Sequence, residues 1–334
     1  MGLKINKIEY YLPERVITND SLANELQYFD VERIEEKSGV KSRHIANNDQ
    51  TALDLAVKAV EKILSSGFDK DQIQGIIFCT QSPDYIMPSN SFLIHKHFNF
   101  NQDVWCFDYN LACSGYIYGL VIARGFIETG LAKNILLITS ETYSKYLNQK
   151  DRSTRIIFGD GGAASIISDY NGQGIIDVIL SSSGDKYNTF YIPAGGSRHP
   201  KDIHTKKTTV DNSGNVKSLE NIHMDGFAVW QFISKNVSEQ ISKLLKRNNL
   251  SVNDIDLFIL HQASKITLDS LVKVLKIKED KVFYNLKYVG NTISASIPIA
   301  IKDAEDKGRL NRGDLILLSG FGVGLSWGSI IIKY

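Results

Sequence analysis

Apolar and polar positions along the chain follow two alternating patterns. Continuous apolar runs, typical of strands buried on both faces, occupy residues 73–80, 104–109, 135–140, 257–260, 282–286 and 315–319. Between these runs, apolar residues recur at the three- and four-residue spacing of helices that cover one face of a core. The alternation predicts an α/β protein built from packed layers of strands and helices.

The clearest of these helices is predicted to begin after residue 51. Thr51 and Asp54 have the spacing of a capping box, and Gly67 provides a stop signal. Two further apolar stripes, at 230–244 and 268–275, predict helices, and the first is expected to pack into the core rather than line a ligand pocket.

The order of predicted elements occurs twice along the chain. Each half contains an apolar run, a helix, a strand, one polar or reactive residue, a second helix and a glycine. The reactive residue is Cys113 in the first half and Asn291 in the second. Each lies 17 residues before its glycine, Gly130 or Gly308. Chance similarity between βα units is the alternative to a duplication.

A duplication predicts two halves, residues 1–172 and 173–334, packed about a pseudo-twofold axis. The first half carries Cys113, and the second carries His261 and Asn291. Equivalent elements meet at such an axis, so these three remote residues are expected to converge on one cleft.

Composition narrows the class of protein. The chain has 334 residues, 43% of them hydrophobic, with 38 basic and 37 acidic side chains and a formal charge of +1. This balance gives no overall electrostatic footprint for nucleic acid or an anionic membrane. Because no apolar run approaches the roughly 20 residues of a membrane span and no signal peptide is evident, we expect a cytoplasmic protein. Three cysteines, too few and too irregular for a disulfide framework or zinc site, predict no bound metal.

Cys113 lies between an apolar run and a helix rich in small residues. Unpaired N–H groups at a helix start favour a thiolate over a thiol and can hold an oxyanion, which predicts a nucleophile. A buried structural cysteine is the alternative. His261 follows a predicted strand and Asn291 stands in Gly290-Asn-Thr, where a satisfied histidine and a turn residue are the alternatives. Together they offer a nucleophile and two N–H donors for a developing enolate.

At these residues the chain resembles the β-ketoacyl-acyl-carrier-protein synthase III family, over nearly its whole length. The resemblance is carried by Ala-Cys-Ser-Gly at 112–115, Arg152 with Phe-Gly-Asp-Gly at 158–161, Pro-Ala-Gly-Gly-Ser-Arg at 193–198, His-Gln-Ala-Ser at 261–264, Gly-Asn-Thr at 290–292 and Gly-Val-Gly-Leu-Ser-Trp-Gly at 322–328. It implies a thiolase-like, five-layered αβαβα fold made of two duplicated halves.

The family's reaction is a decarboxylating Claisen condensation in two stages. The resemblance implies that Cys113 takes an acyl group from acyl-CoA, with the backbone N–H groups of Cys113 and Val323 stabilising the oxyanion. Malonyl carried on acyl carrier protein then loses carbon dioxide, and its enolate is held by His261 and Asn291. No cofactor is implied beyond the coenzyme A thioester, which is a substrate.

Other contacts implied by the resemblance are at the entrance to the site. Arg152 and Arg33 are expected to hold coenzyme A, although Arg33 stands where many members have a tryptophan. An acyl carrier protein therefore remains an alternative donor. Lys265 replaces an arginine that meets the acidic carrier.

Met87 and Phe321 are expected at the acyl pocket. By position, Met87 matches a residue that reaches across a homodimer into the partner's acyl tunnel, with ordinary interface packing as the alternative. Residues 198–221 form a polar insert. A solvated connection is favoured there over an entrance cover or a docking segment.

Three functions remain open from the sequence. The first is the condensing enzyme that starts fatty acid synthesis. The second is a specialised relative that supplies an unusual acyl group to a secondary metabolite or surface glycan. The third is a catalytically silent binding subunit, which the joint presence of Cys113, His261 and Asn291 disfavours.

Overall fold

Strands and helices alternate along the chain in a computed structural model that describes residues 2–26 and 30–334. The strands are β1 (Gly2–Tyr11), β2 (Val16–Thr18), β3 (Ser42–His44), β4 (Gly75–Cys79), β5 (Trp105–Tyr109), β6 (Asn134–Glu141), β7 (Gly161–Tyr170), β8 (Ile175–Ser182), β9 (Phe190–Tyr191), β10 (Thr209–Val210), β11 (Val216–Lys217), β12 (His223–Met224), β13 (Leu257–Leu260), β14 (Leu315–Gly322) and β15 (Ser326–Lys333). The α-helices are α1 (Asn19–Glu25), α2 (Val31–Ser38), α3 (Ala52–Ser65), α4 (Asn90–His97), α5 (Gly115–Glu128), α6 (Arg152–Arg155), α7 (Gly226–Phe232), α8 (Ser238–Arg247), α9 (Lys265–Leu275), α10 (Leu286–Val289) and α11 (Ser296–Asp306). A π-helical segment, Ile233–Val237, joins α7 to α8.

The two main sheets have matching strand orders. One sheet runs β5-β4-β6-β7-β1 and the other runs β13-β14-β15-β8. In each, a parallel pair, β4 with β6 or β13 with β14, is followed by antiparallel neighbours. The predicted division at residue 172 stays a proposal, which is supported because each sheet draws its strands from one side of that point.

The predicted strand at 282–286 is wrong. Val282 forms only an isolated bridge to Phe258, and the chain then enters α10. The Asn285 N–H donates to a side chain instead of a neighbouring strand, because Gln262 Oε1 accepts from it at 3.0 Å. In the second sheet the counterpart of β5 is therefore reduced to this bridge and to the hydrogen bond from Phe283 N to Phe258 O.

Helices form three layers around the two sheets. Helices α3 and α4 cover the outer face of the first sheet, whereas α5 and α11 contact strands of both sheets. Helices α8 and α9 pack over the second sheet through a separate apolar cluster that includes Ile241, Leu268 and Leu317. The five-layered αβαβα arrangement is confirmed.

Local signals placed the helices well. Thr51 is the N-cap of α3 and forms the predicted capping box with Asp54, and Gly67 follows the helix with φ +92°. The predicted stripe at 230–244 spans α7, the π-helical segment and α8. Its later members Ile241 and Leu244 pack in the core as predicted, but Trp230 and Ile233 line a cavity, contrary to the prediction. Within the described ranges, we find no helix with the length and apolar character needed to cross a bilayer.

Candidate active site

Cys113 lies in the turn between β5 and α5, just ahead of the helix N-cap Ser114. Ser114 Oγ is 2.7 Å from Ser326 Oγ, which ties this turn to β15 in the other half. Strand β14 also approaches closely, because a Cβ added to Gly322 would be 2.8 Å from Cys113 Sγ. Only glycine gives the thiol room at that position.

His261 directly follows β13 and is almost completely buried. Its Nδ1 lies 2.5 Å from Ser296 Oγ at the start of α11, and its ring meets Phe321 edge to face at 5.5 Å. Burial lowers the pKa of His261 to about 3, so the imidazole is neutral. When the Ser296 hydroxyl donates to Nδ1, the single ring proton is on Nε2.

Asn291 is fixed by its backbone as well as its side chain. Its N–H donates to Ile157 O, and its carbonyl accepts from Gly159 N, each at 2.9 Å. Its side-chain Oδ1 accepts from Ile293 N at 2.9 Å, which directs the amide nitrogen away from that turn. Ile293 has φ +54°, an unfavourable conformation for a β-branched residue.

One cavity of about 210 Å³ brings together the three residues predicted to converge. Its wall is mainly apolar and comprises Cys113, Ile157, Phe158, Phe190, Met224, Gly226, Val229, Trp230, Ile233, His261, Ala263, Ser264, Ile266, Thr267, Asn291, Phe321 and Gly322. A nucleophile and two N–H donors thus share a low-polarity site, where electrostatic interactions are stronger than in water.

Burial opposes the predicted preference of Cys113 for thiolate. Burial raises the pKa of the thiol well above its ordinary value, and the charge of Glu141 raises it further. Desolvation outweighs the opposing effect of the Cys113 backbone N–H, so burial favours the neutral thiol.

Glu141 was missed by sequence reasoning. Its fully buried carboxyl accepts hydrogen bonds from Gln81 N at 3.0 Å, Ser82 Oγ at 3.1 Å and Ser294 Oγ at 2.8 Å. Burial raises its pKa to about 7 despite these donors. The available signal was an acidic residue directly after the apolar run at 135–140, because buried strands rarely carry one.

The polar insert covers Arg152. Strands β10 and β11 form a hairpin whose tip accepts a hydrogen bond at Ser213 O from Arg152 Nη2. At the base of this hairpin, Lys217 Nζ lies 3.5 Å from Asp151 Oδ2. The insert is therefore packed onto α6 and is more than a solvated connection.

The remaining predicted residues occupy the rim and the surface. Lys265 is exposed, forms an ion pair with Asp269 and stands between two residues of the cavity wall, Ser264 and Ile266. Arg33 is exposed on α2, which packs against α9. Met87 is 80% exposed and lines none of the cavities described here.

The other two predicted residues lie close to the thiol. Phe321 is buried in the cavity wall, and Val323 is partly buried next to Gly322. The functional roles given to all these residues stay predictions.

Comparison with known proteins identifies the family. Residues 107–184 match the family model described as 3-oxoacyl-[acyl-carrier-protein] synthase III, and residues 245–334 match its C-terminal counterpart. The β-ketoacyl-[acyl-carrier-protein] synthase III of Campylobacter fetus is 38% identical over 97% of this chain and 96% of its own. The chain belongs to the β-ketoacyl-acyl-carrier-protein synthase III family. It is accordingly an acyltransferase of the condensing type.

Solved structures of β-ketoacyl-acyl-carrier-protein synthase III agree over the whole chain. A crystal structure of a 3-oxoacyl-(acyl-carrier-protein) synthase III has a TM-score of 0.98 at 36% identity, covering 100% of both chains. The synthase III of Aquifex aeolicus has a TM-score of 0.86 at 31% identity, again over 100% of both. The priming β-ketosynthase of the R1128 polyketide pathway has a TM-score of 0.87 at 26% identity, covering 99% of this chain and 96% of its own.

Proposed function

We propose that this cavity condenses an acyl group from acyl-CoA with malonyl carried on acyl carrier protein, with loss of carbon dioxide, as at the start of fatty acid synthesis. The observation that supports the proposal most directly is the meeting of Cys113, His261 and Asn291 in one mainly apolar cavity.

In the first stage, Cys113 Sγ attacks the thioester carbonyl of acyl-CoA. The S–C bond to Cys113 forms, the bond to the coenzyme A sulfur breaks, and the Cys113 proton leaves with coenzyme A as its thiol. Backbone N–H groups of Cys113 and Val323 stabilise the oxyanion of the tetrahedral intermediate. Starting from a neutral thiol keeps the buried site free of an uncompensated charge.

In the second stage, the malonyl thioester loses carbon dioxide and its electrons pass to an enolate. His261 Nε2 and Asn291 Nδ2 donate to the enolate oxygen, and one such placed donor is worth about 10²- to 10³-fold in rate. The carbanion attacks the acyl-Cys113 carbonyl, the carbon–sulfur bond to Cys113 breaks, and the released thiolate takes up one proton from water to regenerate the thiol. Decarboxylation generates the carbanion, so neither residue has to remove a proton from carbon.

Surface features support the partners of this reaction. Lys265 stands at the cavity rim and Arg33 on the adjacent helix, where both can meet an acidic carrier or coenzyme A phosphates. The Arg152 side chain under the hairpin is the third basic group of this set. The proposal also includes a homodimer, a cytoplasmic location, and no cofactor beyond the thioester substrate.

Acyl loading tests the proposal. Wild-type protein mixed with acetyl-, butyryl- and 3-hydroxybutyryl-CoA is expected to gain one acyl group by intact mass, and Cys113→Ala is expected to gain none. His261→Ala and Asn291→Ala should load normally yet lose malonyl decarboxylation by about 10²-fold or more. Absence of loading on wild type from every donor, or equal loading of Cys113→Ala, would overturn the proposal.

A further inference from the structure

A second cavity, of about 280 Å³, adjoins the active-site cavity. Its wall comprises Gln81, Asn110, Tyr143, Tyr146, Phe190, Tyr191, Ile192, Ile222 and Val323. Most of these side chains carry a hydrogen-bonding group, in contrast to the mainly apolar wall around Cys113.

The second cavity is next to the nucleophile. Phe190 lines both cavities, and the consecutive residues Gly322 and Val323 line one each. Cys113 also packs in one buried cluster with Tyr143 and Phe190. A chain attached to Cys113 Sγ can therefore extend into the second cavity past Phe190 and Val323.

A hydrogen-bonded chain of side chains forms part of this wall. The Tyr143 hydroxyl donates to Gln81 Oε1, and Gln81 Nε2 donates to Asn110 Oδ1 at 2.7 Å. Tyr143 is only 4% exposed, so its hydroxyl lies inside the protein. Burial and Glu141 raise the pKa of Tyr143 well above its usual value, which keeps the phenol protonated as a donor.

This chain leaves hydrogen-bonding capacity facing the cavity. Tyr143 keeps an acceptor lone pair and partly buried Gln81 Nε2 keeps a second N–H, while Asn110, the exposed end of this chain, has an amide nitrogen that donates to no described residue. A plain alkyl chain that displaced water from these groups would leave them unsatisfied at a cost, whereas a hydroxyl can both donate and accept.

We propose that this cavity selects acyl donors that carry a hydroxyl group on the chain over plain alkyl donors. The inference rests on the proposed function and names the donor class of the same site. The residues responsible for this preference are Gln81, Asn110 and Tyr143, which determine which donor binds and take no part in the chemical step.

Matched donors that differ only by a hydroxyl in place of a methyl group provide the test. The pairs are 3-hydroxybutyryl-CoA, as separate enantiomers, against 3-methylbutyryl-CoA, and 4-hydroxybutyryl-CoA against pentanoyl-CoA. The initial rate of Cys113 acylation is followed by intact mass. We expect one hydroxy donor to load about 5- to 10-fold faster than its partner, the discrimination typical of one or two neutral hydrogen bonds.

Three variants locate the preference. Gln81→Met and Asn110→Leu are expected to reduce the ratio to near one, because loading of the hydroxy donor falls more than loading of its alkyl partner. Tyr143→Phe, which removes one hydroxyl, should reduce the ratio in the same direction. Tyr118→Phe is the matched control, because its hydroxyl donates to Ser181 O outside the cavity and the ratio should not change.

The outcomes separate this inference from the proposed function. Loading of both members of every pair within twofold on wild type would overturn the inference and leave the proposed function intact. A clear preference that survives in Gln81→Met and Asn110→Leu would also overturn it, since the hydrogen-bonded chain would then be only structural. No loading from any donor would overturn the proposed function itself.

Discussion

Glu141 has a titratable carboxyl that lies near Cys113 and is completely buried. Its hydrogen bonds reach the turn after β4 through Gln81 and Ser82, and the turn after Asn291 through Ser294. One side chain therefore connects the two halves next to Cys113. Its charge also disfavours ionisation of the Cys113 thiol.

Glu141→Gln is expected to change the pH dependence of stability. The pKa of Glu141 is raised from 4.5 to about 7, so between these values the folded protein holds a proton that the unfolded chain releases. Wild-type stability relative to the variant should therefore fall as the pH rises from about 4.5 to 7, by on the order of 3 kcal/mol.

Urea unfolding of both proteins at several pH values measures this difference. The variant should also react faster with iodoacetamide at Cys113, because the nearby negative charge is removed. Parallel stability profiles for the two proteins would contradict the assignment of Glu141 as the titrating group.

At the scale of single residues, the identity of the reactive side chains could be predicted from the sequence, but the shift in the pKa of the thiol could not. Cys113, His261 and Asn291 could be chosen from the sequence because each follows or precedes a recognisable element. The direction of the Cys113 pKa shift could not be predicted, since it depends on burial by both halves and on Glu141, which lies at the end of β6.

At the scale of elements, β14 and the turn before α5 are in direct backbone contact. A Cβ added to Gly320 would lie 2.6 Å from Cys113 O and 2.9 Å from Ser114 Cα. Backbone atoms on both sides leave no flexible side chain to move aside. The position of the nucleophile is thus coupled to the strand that follows His261 in the second sheet.

Gly320→Ala is expected to destabilise the protein by about 2 kcal/mol or more through this overlap. Gly125→Ala is the matched control, because Gly125 lies in α5 with open space around it and should gain about 0.5 to 1 kcal/mol. The midpoint of urea unfolding measures both. Equal stability of the two variants would show that the contact between β14 and the Cys113 turn is loose.

Element prediction succeeded where local patterns were sufficient. The capping box of α3 and the run that became β13 needed only neighbours in sequence. The strand predicted at 282–286 is reduced to a bridge between Val282 and Phe258, beyond which the Asn285 N–H donates to Gln262, a residue distant in sequence. The insert at 198–221 likewise gave no sign of the hairpin that packs on Arg152.

For the whole molecule, the alternation of strand and helix patterns predicted a layered α/β protein, and the family resemblance implied its five-layered form. The surface of the molecule carries a sign of assembly.

An exposed apolar segment lies between β4 and α4 and consists of Tyr85, Ile86 and Met87, with exposures of 59%, 98% and 80%. Contiguous exposed apolar side chains of this kind mark interaction sites, which supports the proposed homodimer.

Ile86→Asp is therefore expected to weaken the dimer at least tenfold, because it buries a charge at the interface. Sedimentation velocity over a micromolar dilution series measures the change. Ile203→Asp is the control, since Ile203 is 77% exposed in the insert and outside this segment. A monomeric wild type, or equal effects of the two substitutions, would contradict the assigned interface.

The neutral resting state of Cys113 has a consequence for inhibitor discovery. Electrophilic fragments that react with ionised cysteines are expected to label this sulfur slowly, since burial and Glu141 raise the pKa of the thiol. A neutral thiol must lose its proton as the sulfur attacks. Compounds that imitate a thioester and carry a leaving group able to accept this proton are therefore better matched to Cys113. Covalent screens against this enzyme should be built from such mimics rather than from general alkylating warheads.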